Sequence, residues 1–495
     1  MSGNISEFIR IIISTFETGI FFYAVFVMLS YLTVSILSIA TIRTYFKRKS
    51  FTDTDSLLRS NIAPGISVLA PAYNEGETVV ENVRSLLALK YPNFNVIVIN
   101  DGSTDDTLQK CIEAFDLQAD YFAVRQTVKT QKVKAVYRSR NRSFNRLIVV
   151  DKVNGGKADA LNVGLNISEM PYVTCIDVDC ILTEDALLKL TKPFVDETDK
   201  KVIASGGVVR VANGCEIQDG KILGVRAPKK MIARYQAMEY LRTFLLGRVG
   251  WTYFDGMMLI SGAIGIFDRE LALKVKGYDE RTVGEDMEIV IRMRKYMMRK
   301  KLAYKVSFVP DPLCWTEVPE SWKSLAKQRN RWTRGTIETL RMHKDILFNP
   351  RYKRMGLLSY PYWVIFEWLA PLFEIFGIVI TFYLALFGVL NIPYFLAMIF
   401  LVYSFSVTYS MIALLIEELT FYQYHRLRDI LKLFAAALTE PFVFHPYILY
   451  CALRGNYDFL VGKKTWEKFE RKGFTAEARQ VNAPEYGNQK RVQTR

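Results

Sequence analysis

Histidine is nearly absent: His343, His425 and His445 are the three in 495 residues. All three fall outside the central α/β pattern, so a histidine-based metal or acid/base site is not expected there. Cysteine is scarce as well. The six cysteines form no C-x-x-C pair and follow no regular spacing, which argues against a zinc site or a disulfide framework. A reducing, cytoplasmic setting for the middle of the chain fits that usage. Zinc-finger spacing, an aromatic RNA-binding signature and a basic heptad helix are all missing. The formal charge of +15 therefore points away from nucleic acid and toward lipid headgroups or an anionic substrate. There is no internal repeat, no low-complexity tract except the polar end at 475–495, and no Walker loop of the form G-x-x-x-x-G-K-[ST].

What the chain has in excess is apolar and aromatic residues, 50% and 13% of the total. They crowd residues 8–42 and 356–452, leaving 50–350 to read as a globular α/β domain. Gly19 to Ile42 is long enough to cross a bilayer at ~20 residues per span. No small-residue cleavage pattern follows it, so it reads as an anchor and not as a removed signal peptide. Arg43, Lys47, Arg48 and Lys49 come next, and the positive-inside rule places that end in the cytoplasm. The N-terminus is then outside, with Ile5–Phe16 as an interfacial helix.

Beyond Pro350, Pro361–Leu390 holds one span, with Glu367 and Glu374 on its first half. Ile392–Leu415 holds a second. Ile430–Leu453 is interrupted by Pro441 and Pro446, and reads either as a third span or as a re-entrant pair of half-helices. The basic tail (Lys463, Lys464, Lys468, Arg471, Lys472) prefers the inside and favours the re-entrant form. The expected division is an anchor region 1–50, a cytoplasmic domain 51–350, membrane or re-entrant helices 351–455 and a basic tail 456–495. That describes a multi-pass protein of the cell membrane with the lipid bilayer as a partner.

Within the domain, Ile66–Ala70, Phe94–Ile99, Leu147–Val150 and Val173–Ile176 are short, β-branched apolar runs. Glu77–Leu89 and Lys157–Ile167 are helical between them. Strands alternating with helices indicate a mostly parallel sheet covered on both faces. The basic stretch 117–146 reads as a solvated hairpin, with a membrane-facing surface as the alternative.

The chemistry-bearing residues fall at strand ends, where parallel sheets bind ligands. Asp177-Val178-Asp179 leaves the strand Val173–Ile176. Two carboxylates at i and i+2 suit one divalent ion bridging a diphosphate. Alone, such a pair is usually just solvated. Asp101 follows Phe94–Ile99 in a tight Asp-Gly turn and is placed to meet a base edge, while Thr104 or Asp105 caps the next helix. Tyr73 offers a ring for a nucleobase and Glu75 an acceptor. Asn154-Gly155-Gly156-Lys157 opens a helix whose N-terminus and lysine attract anions. Gly284-Glu285-Asp286 precedes the helix Met287–Tyr296, and Asp286 is either a cap or the acceptor of a proton from an attacking hydroxyl. Gln328-Arg329-Asn330-Arg331-Trp332 lies in a basic helix. There Arg331 suits a diphosphate and Trp332 a sugar ring, unless both simply anchor at headgroups.

In this order, PAYNE (71–75), NDGSTDDT (100–107), NGGKADALN (154–162), DVDC (177–180), GED (284–286) and QRNRW (328–332) resemble family-2 glycosyltransferases of the membrane polysaccharide-synthase type. That group includes cellulose, hyaluronan, chitin-oligosaccharide and poly-N-acetylglucosamine synthases. The tail at 464–474 resembles the poly-N-acetylglucosamine branch. The resemblance implies a GT-A fold, a UDP-sugar donor, Mg²⁺ or Mn²⁺, a glycan acceptor and inversion at the anomeric carbon. Carried over, Tyr73, Glu75, Asp101 and Lys157 would hold UDP, Asp177 the nucleotide and the metal, and Asp179 the metal. Asp286 would be the base. Gln328, Arg331 and Trp332 would line the diphosphate and acceptor side, and Ser261-Gly262-Ala263 the acceptor-facing loop. Val178 and Cys180 depart from the commoner small residues, which bears on the sugar pocket. No PilZ-type pattern occurs, so cyclic-dinucleotide control would need a partner, and small accessory or export subunits have room in this scheme. The competing expectations are transfer to a lipid carrier and a non-catalytic scaffold. Asp177, Asp179, Asp286 and Arg331 weigh against the scaffold.

Overall fold

The computed structural model describes residues 2–49, 58, 63–121, 126–177, 180–218 and 220–463. Among these residues twelve strands occur: β1 Ile66–Ala72, β2 Phe94–Asn100, β3 Leu117–Asp120, β4 Val133–Ser139, β5 Leu147–Lys152, β6 Tyr172–Cys175, β7 Ile181–Leu182, β8 Lys201–Val211, β9 Glu216–Gln218, β10 Lys221–Gly224, β11 Gly265–Asp268 and β12 Tyr304–Thr316. Ten form one sheet in the order β3-β4-β5-β2-β1-β6-β11-β8-β12-β7. The centre, β5-β2-β1-β6, is parallel, and β8 pairs β12 in parallel on the far side of antiparallel β11. The expected mostly parallel α/β sheet is present, with antiparallel strands at both margins.

Burial explains the strand choice. β1 and β2 carry apolar residues on both faces and are buried almost throughout, as a sheet covered by helices on both sides requires. The helix Val79–Leu87 buries Val79, Asn82, Val83 and Leu86, the i, i+3, i+4, i+7 stripe of an amphipathic helix. The helix Lys157–Ile167 runs over the residues the sequence suggests and is buried nearly all round. The hairpin β3–β4 lies at the sheet edge, and its charges are matched locally: Arg138 with Asp120 at 3.0 Å and Arg140 with Asp116. That supports the solvated-hairpin reading.

The N-terminal segment is one continuous helix, Ser2–Lys49, without a break setting Ile5–Phe16 apart. Among the described residues, two helices are long and apolar enough to cross a membrane, Ile13–Lys47 and Ile392–Thr420. The segments Met355–Trp368 and Ala370–Leu386, bent by 42°, add a third if they form one span.

The expected break at Pro441 and Pro446 does not occur. Leu427–Leu460 is a single helix with both prolines inside it. It is not among the described helices that are long and apolar enough to cross a membrane. Its buried face holds Asp429, Glu440, Asn456 and Asp458, and that face finds partners elsewhere in the chain. Arg242 binds Glu440 and Ser410. Asn330 donates to Asp458 at 2.9 Å. Each proline removes one backbone bond, and these contacts from outside the helix offset the loss.

Two buried ion pairs lock the sheet domain to the apolar helices. Arg210, at the end of β8, meets Glu417 in Ile392–Thr420 with two bonds, one of 2.9 Å, and both residues are almost wholly buried. Arg242–Glu440 is the second.

Candidate active site

The loops after β1 and β2 are stitched together. Asn74 N donates to Ser103 Oγ at 3.0 Å, and Thr104 N donates to Asn74 Oδ1 at 2.8 Å. Glu75 N donates to Thr107 Oγ1, and Gly76 N to Asp105 Oδ2. Asp105 also accepts from Thr107 N at 3.0 Å, tying the start of the helix Thr107–Phe115 to the first loop; the N-cap itself is Asp106 and not the expected Thr104 or Asp105, because the helix begins one residue later. Tyr73, at the strand end beside this cross-bonding, is 39% exposed.

Asp101 does not present a free carboxylate to a base edge. It is 4% exposed. One oxygen takes Lys152 Nζ and the Gly155 amide, and the other takes the Gly156 amide at 2.8 Å. Lys152 is wholly buried and reaches Asp159 as well, at 2.6 Å. The structure thus uses Asp101 to shape the Gly155–Gly156 turn. Gly156 caps the following helix at φ +89°, a conformation that costs glycine little. Lys157 is held at the first position of that helix, where the helix dipole already favours anions. Nothing local in the sequence marks Lys152 as the partner of Asp101.

Lys157 is the hub. Its Nζ lies 2.5 Å from Asp177 and 3.7 Å from Glu285. Burial works against its charge, but Asp177 and Glu285 outweigh it and hold the ammonium above its usual range. Burial pushes the Glu285 carboxyl up, opposed by Lys157 and, after the neighbouring Asp286 charge, by Arg331. Gly262 sits between the two halves of the site. A Cβ there would stand 3.0 Å from Lys157 Nζ and 3.7 Å from Asp286 Oδ2, so any larger residue would crowd the lysine. Its amide donates to Asp286 Oδ2 at 3.2 Å, and the Met287 amide donates to Oδ1. Asp286 is thereby aimed across the loop. Ala263 does not share that role: the turn closed by Ile264 N donating to the Ser261 carbonyl at 3.1 Å leads it into the core.

The helix Trp322–Met342 closes the site. Trp332 is 38% exposed, and the Arg329 guanidinium covers its ring at 4.5 Å. Arg329 is itself fixed by a bidentate pair with Glu239, at 2.5 Å on one arm. Gln328 Oε1 is buried with no hydrogen-bond partner among the described residues, an acceptor in want of a donor. Glu285, Arg329 and Glu239 escaped the sequence reading. The first was adjacent to a chosen residue, and the other two needed a contact across about 90 positions. His343, expected outside the α/β region, packs into it. Its Nε2 is 3.1 Å from Glu288 Oε1 and its Nδ1 is 3.3 Å from Lys295 Nζ, bracing the helix Glu285–Arg299 away from the Asp286 carboxylate.

Asp179 and the basic tail at 464–474 lie outside the described residues. Among the described residues no three His, Cys, Asp or Glu side chains gather as a metal site. The donors at hand are carboxylate oxygens, which suit a hard divalent ion that takes one or two carboxylates and completes its shell from phosphate and water.

A sheet that gathers carboxylates, a lysine and a glycine turn at its strand ends, with an aromatic helix across them, defines a glycosyltransferase of the GT-A type. The chain belongs to the family described as "Glycosyltransferase like family 2", whose profile matches residues 64–335. It is 28% identical over 346 residues to the poly-beta-1,6-N-acetyl-D-glucosamine synthase of Staphylococcus epidermidis, covering 69% of each chain. To the enzyme of the same name from Staphylococcus aureus strain COL it is 28% identical over 345 residues, 69% of this chain and 70% of that one. Among solved structures it aligns with a mannosyltransferase from Pyrobaculum calidifontis in complex with GDP-Man and Mn²⁺. That alignment has 16% identity and a TM-score of 0.47, over 88% of this chain and 99% of the other.

Proposed function

We propose that this enzyme is an inverting, processive transferase. It moves N-acetylglucosamine from a UDP-sugar, on the cytoplasmic side, onto a growing β-linked polysaccharide that it passes into the membrane. The observation that carries the reading is the single cluster formed by Asp177, Lys157, Glu285, Gly262 and Asp286, joined to Trp332 on the helix that leads to the apolar segments. The names of the two Staphylococcus relatives support the sugar and the polymer.

In this scheme the uracil stacks on Tyr73, with Glu75 beside it. Lys157 and Arg331 neutralise the diphosphate. Asp177 and Asp179 would hold Mg²⁺ or Mn²⁺, which when bound supplies positive charge to the leaving diphosphate. Asp286 takes the proton from the acceptor hydroxyl. The oxygen then bonds to the anomeric carbon as the bond from that carbon to the diphosphate breaks on the opposite face, and UDP leaves with the electron pair. Trp332 keeps the new sugar in place by stacking, which demands no single hydrogen-bond register and so tolerates sliding. Gln328 offers its unmet oxygen on the same side.

The helices after Trp332 fit an exit path. Glu367 lies in the bent pair of segments with Tyr31 and Tyr362 as neighbours. A carboxylate turned to lipid is costly, which favours a polar interior for it. Glu374 is placed differently, 2.8 Å from His445 Nε2. The test is to incubate purified protein with a panel of radiolabelled UDP-sugars and size the products. Long polymer from UDP-N-acetylglucosamine is expected while most acceptor remains untouched. Uniform addition of one sugar to a lipid extract would replace the reading with transfer to a lipid carrier.

A further inference from the structure

Among the described residues, four buried arginines are paired with carboxylates or carbonyls. Arg210 has Glu417, Arg242 has Glu440, Arg329 has Glu239, and Arg294 has the carbonyls of Asp255 and Met257. Arg248 differs. Its guanidinium lies 4.0 Å over the Phe244 ring. Its Nη1 is buried without a hydrogen-bond partner among the described residues, as is one nitrogen each of Arg210 and Arg329; unlike those two, Arg248 has no described carboxylate within ion-pair distance.

Its place in the fold gives that vacancy a direction. Arg248 ends a π-helical stretch, Leu241–Arg248. Such stretches widen a helix by one residue and are frequent at functional sites. The stretch is pinned on one side to the anchor helix, where Ser38 Oγ donates to the Leu245 carbonyl at 2.5 Å. On its other side Arg242 reaches Ser410 in Ile392–Thr420. The carboxylates whose fields reach Arg248 are Asp286 and Glu367. One is the proposed base, and the other sits in the segment that opens the proposed exit. Burial without an adjacent anion pushes the guanidinium down to about 10.

A buried guanidinium donor left without an acceptor is unfavourable, so Arg248 can take an acceptor oxygen that the described residues do not provide. The diphosphate is already met by Lys157 and Arg331, near Glu285. What passes between Asp286 and Glu367 is the glycan. We infer that Arg248 contacts the acceptor sugar, donating from Nη1 to a hydroxyl, ring or amide-carbonyl oxygen of the chain as it leaves Asp286 toward the membrane. This rests on the transfer reading above, and it adds a residue that none of the sequence motifs contains. Phe244 gives the guanidinium a flat seat, so its planar donors keep one orientation as successive sugars pass.

The experiment compares wild type with Arg248→Met and Arg248→Lys in detergent or nanodiscs. Three quantities are measured: the KM for a soluble oligosaccharide acceptor, the KM for the UDP-sugar, and the rate of UDP-sugar hydrolysis by water. For Arg248→Met the acceptor KM is expected to rise about 10-fold or more, as for loss of a charged hydrogen bond. Products should shorten while donor KM and hydrolysis stay near wild type. Arg248→Lys keeps the charge and loses the planar fork, so it should fall between the two. If Arg248→Met does not fold, the lysine variant alone decides: wild-type acceptor KM and product length in it overturn the inference. A raised donor KM with unchanged acceptor KM would move Arg248 to the diphosphate and also overturn it. Should wild type itself add one sugar to a lipid, the polymer reading fails, while the KM for that lipid still tests Arg248.

Discussion

Gly284 and Gly335 lie backbone against backbone. A Cβ on Gly335 would stand 2.8 Å from the Gly284 nitrogen, and one on Gly284 would stand 2.8 Å from the Gly335 carbonyl oxygen. This crossing joins the segment that ends in Asp286 to the helix that carries Gln328, Arg331 and Trp332. Gly335 is in the middle of that helix, where alanine ordinarily stabilises by about 1 kcal/mol. Gly335→Ala should do the reverse here. A lowered Tm and a turnover reduced about 10-fold or more are expected, because small displacements of positioned groups are costly. A raised Tm with full activity would show that the crossing does not position the site.

Asp286→Asn keeps the shape of the side chain and removes the proton acceptor. UDP-sugar should still bind, as read by calorimetry, while transfer falls by about 100-fold or more. Loss of donor binding with the fold intact would make Asp286 a binding residue instead.

Asp179→Asn should abolish transfer, since a neutral amide is a poor ligand for a hard cation. Chelator should silence the wild type, and Mg²⁺ or Mn²⁺ should restore it. Turnover that survives the chelator would remove the metal from the scheme.

Trp332→Ala should shorten the product more than it weakens donor binding. Glu239→Gln should act in the same direction, because Glu239 holds the guanidinium that covers the Trp332 ring. Product sizing by gel filtration reads both. Normal polymer from Glu239→Gln would separate the arginine from the role of the tryptophan.

Glu417→Gln leaves Arg210 buried without its charge partner. Breaking a buried pair in this way costs about 3–5 kcal/mol, so a clearly lowered Tm is expected. The double change Arg210→Met with Glu417→Leu should recover most of it. An unchanged Tm in Glu417→Gln would mean that water replaces the carboxylate.

The scaffold was legible where chemistry is local. Apolar runs of strand length marked β1, β2, β5 and β6, and the helix Lys157–Ile167 followed from its own pattern. The motif residues end those strands, so their meeting at one sheet edge followed from a parallel arrangement. Reading Pro441 and Pro446 as breaks went astray because proline's cost is local, whereas the contacts that offset it come from Arg242 and Asn330 far along the chain. The placing of His343 failed in the same way: its position relative to the strands says nothing about a return to Glu288.

By itself the sequence determined the α/β sheet, the apolar helices and which loops carry the chemistry. All of these follow from periodicity and residue type within a few turns of backbone. Only the tertiary structure decided that Asp101 shapes a glycine turn, that Lys157 is shared between Asp177 and Glu285, that Arg329 fixes Trp332, and that Arg248 is left with an unmet donor. Each of these depends on which charges become neighbours after folding. A charge's partner is chosen by distance and burial in the packed chain, and sequence spacing records neither.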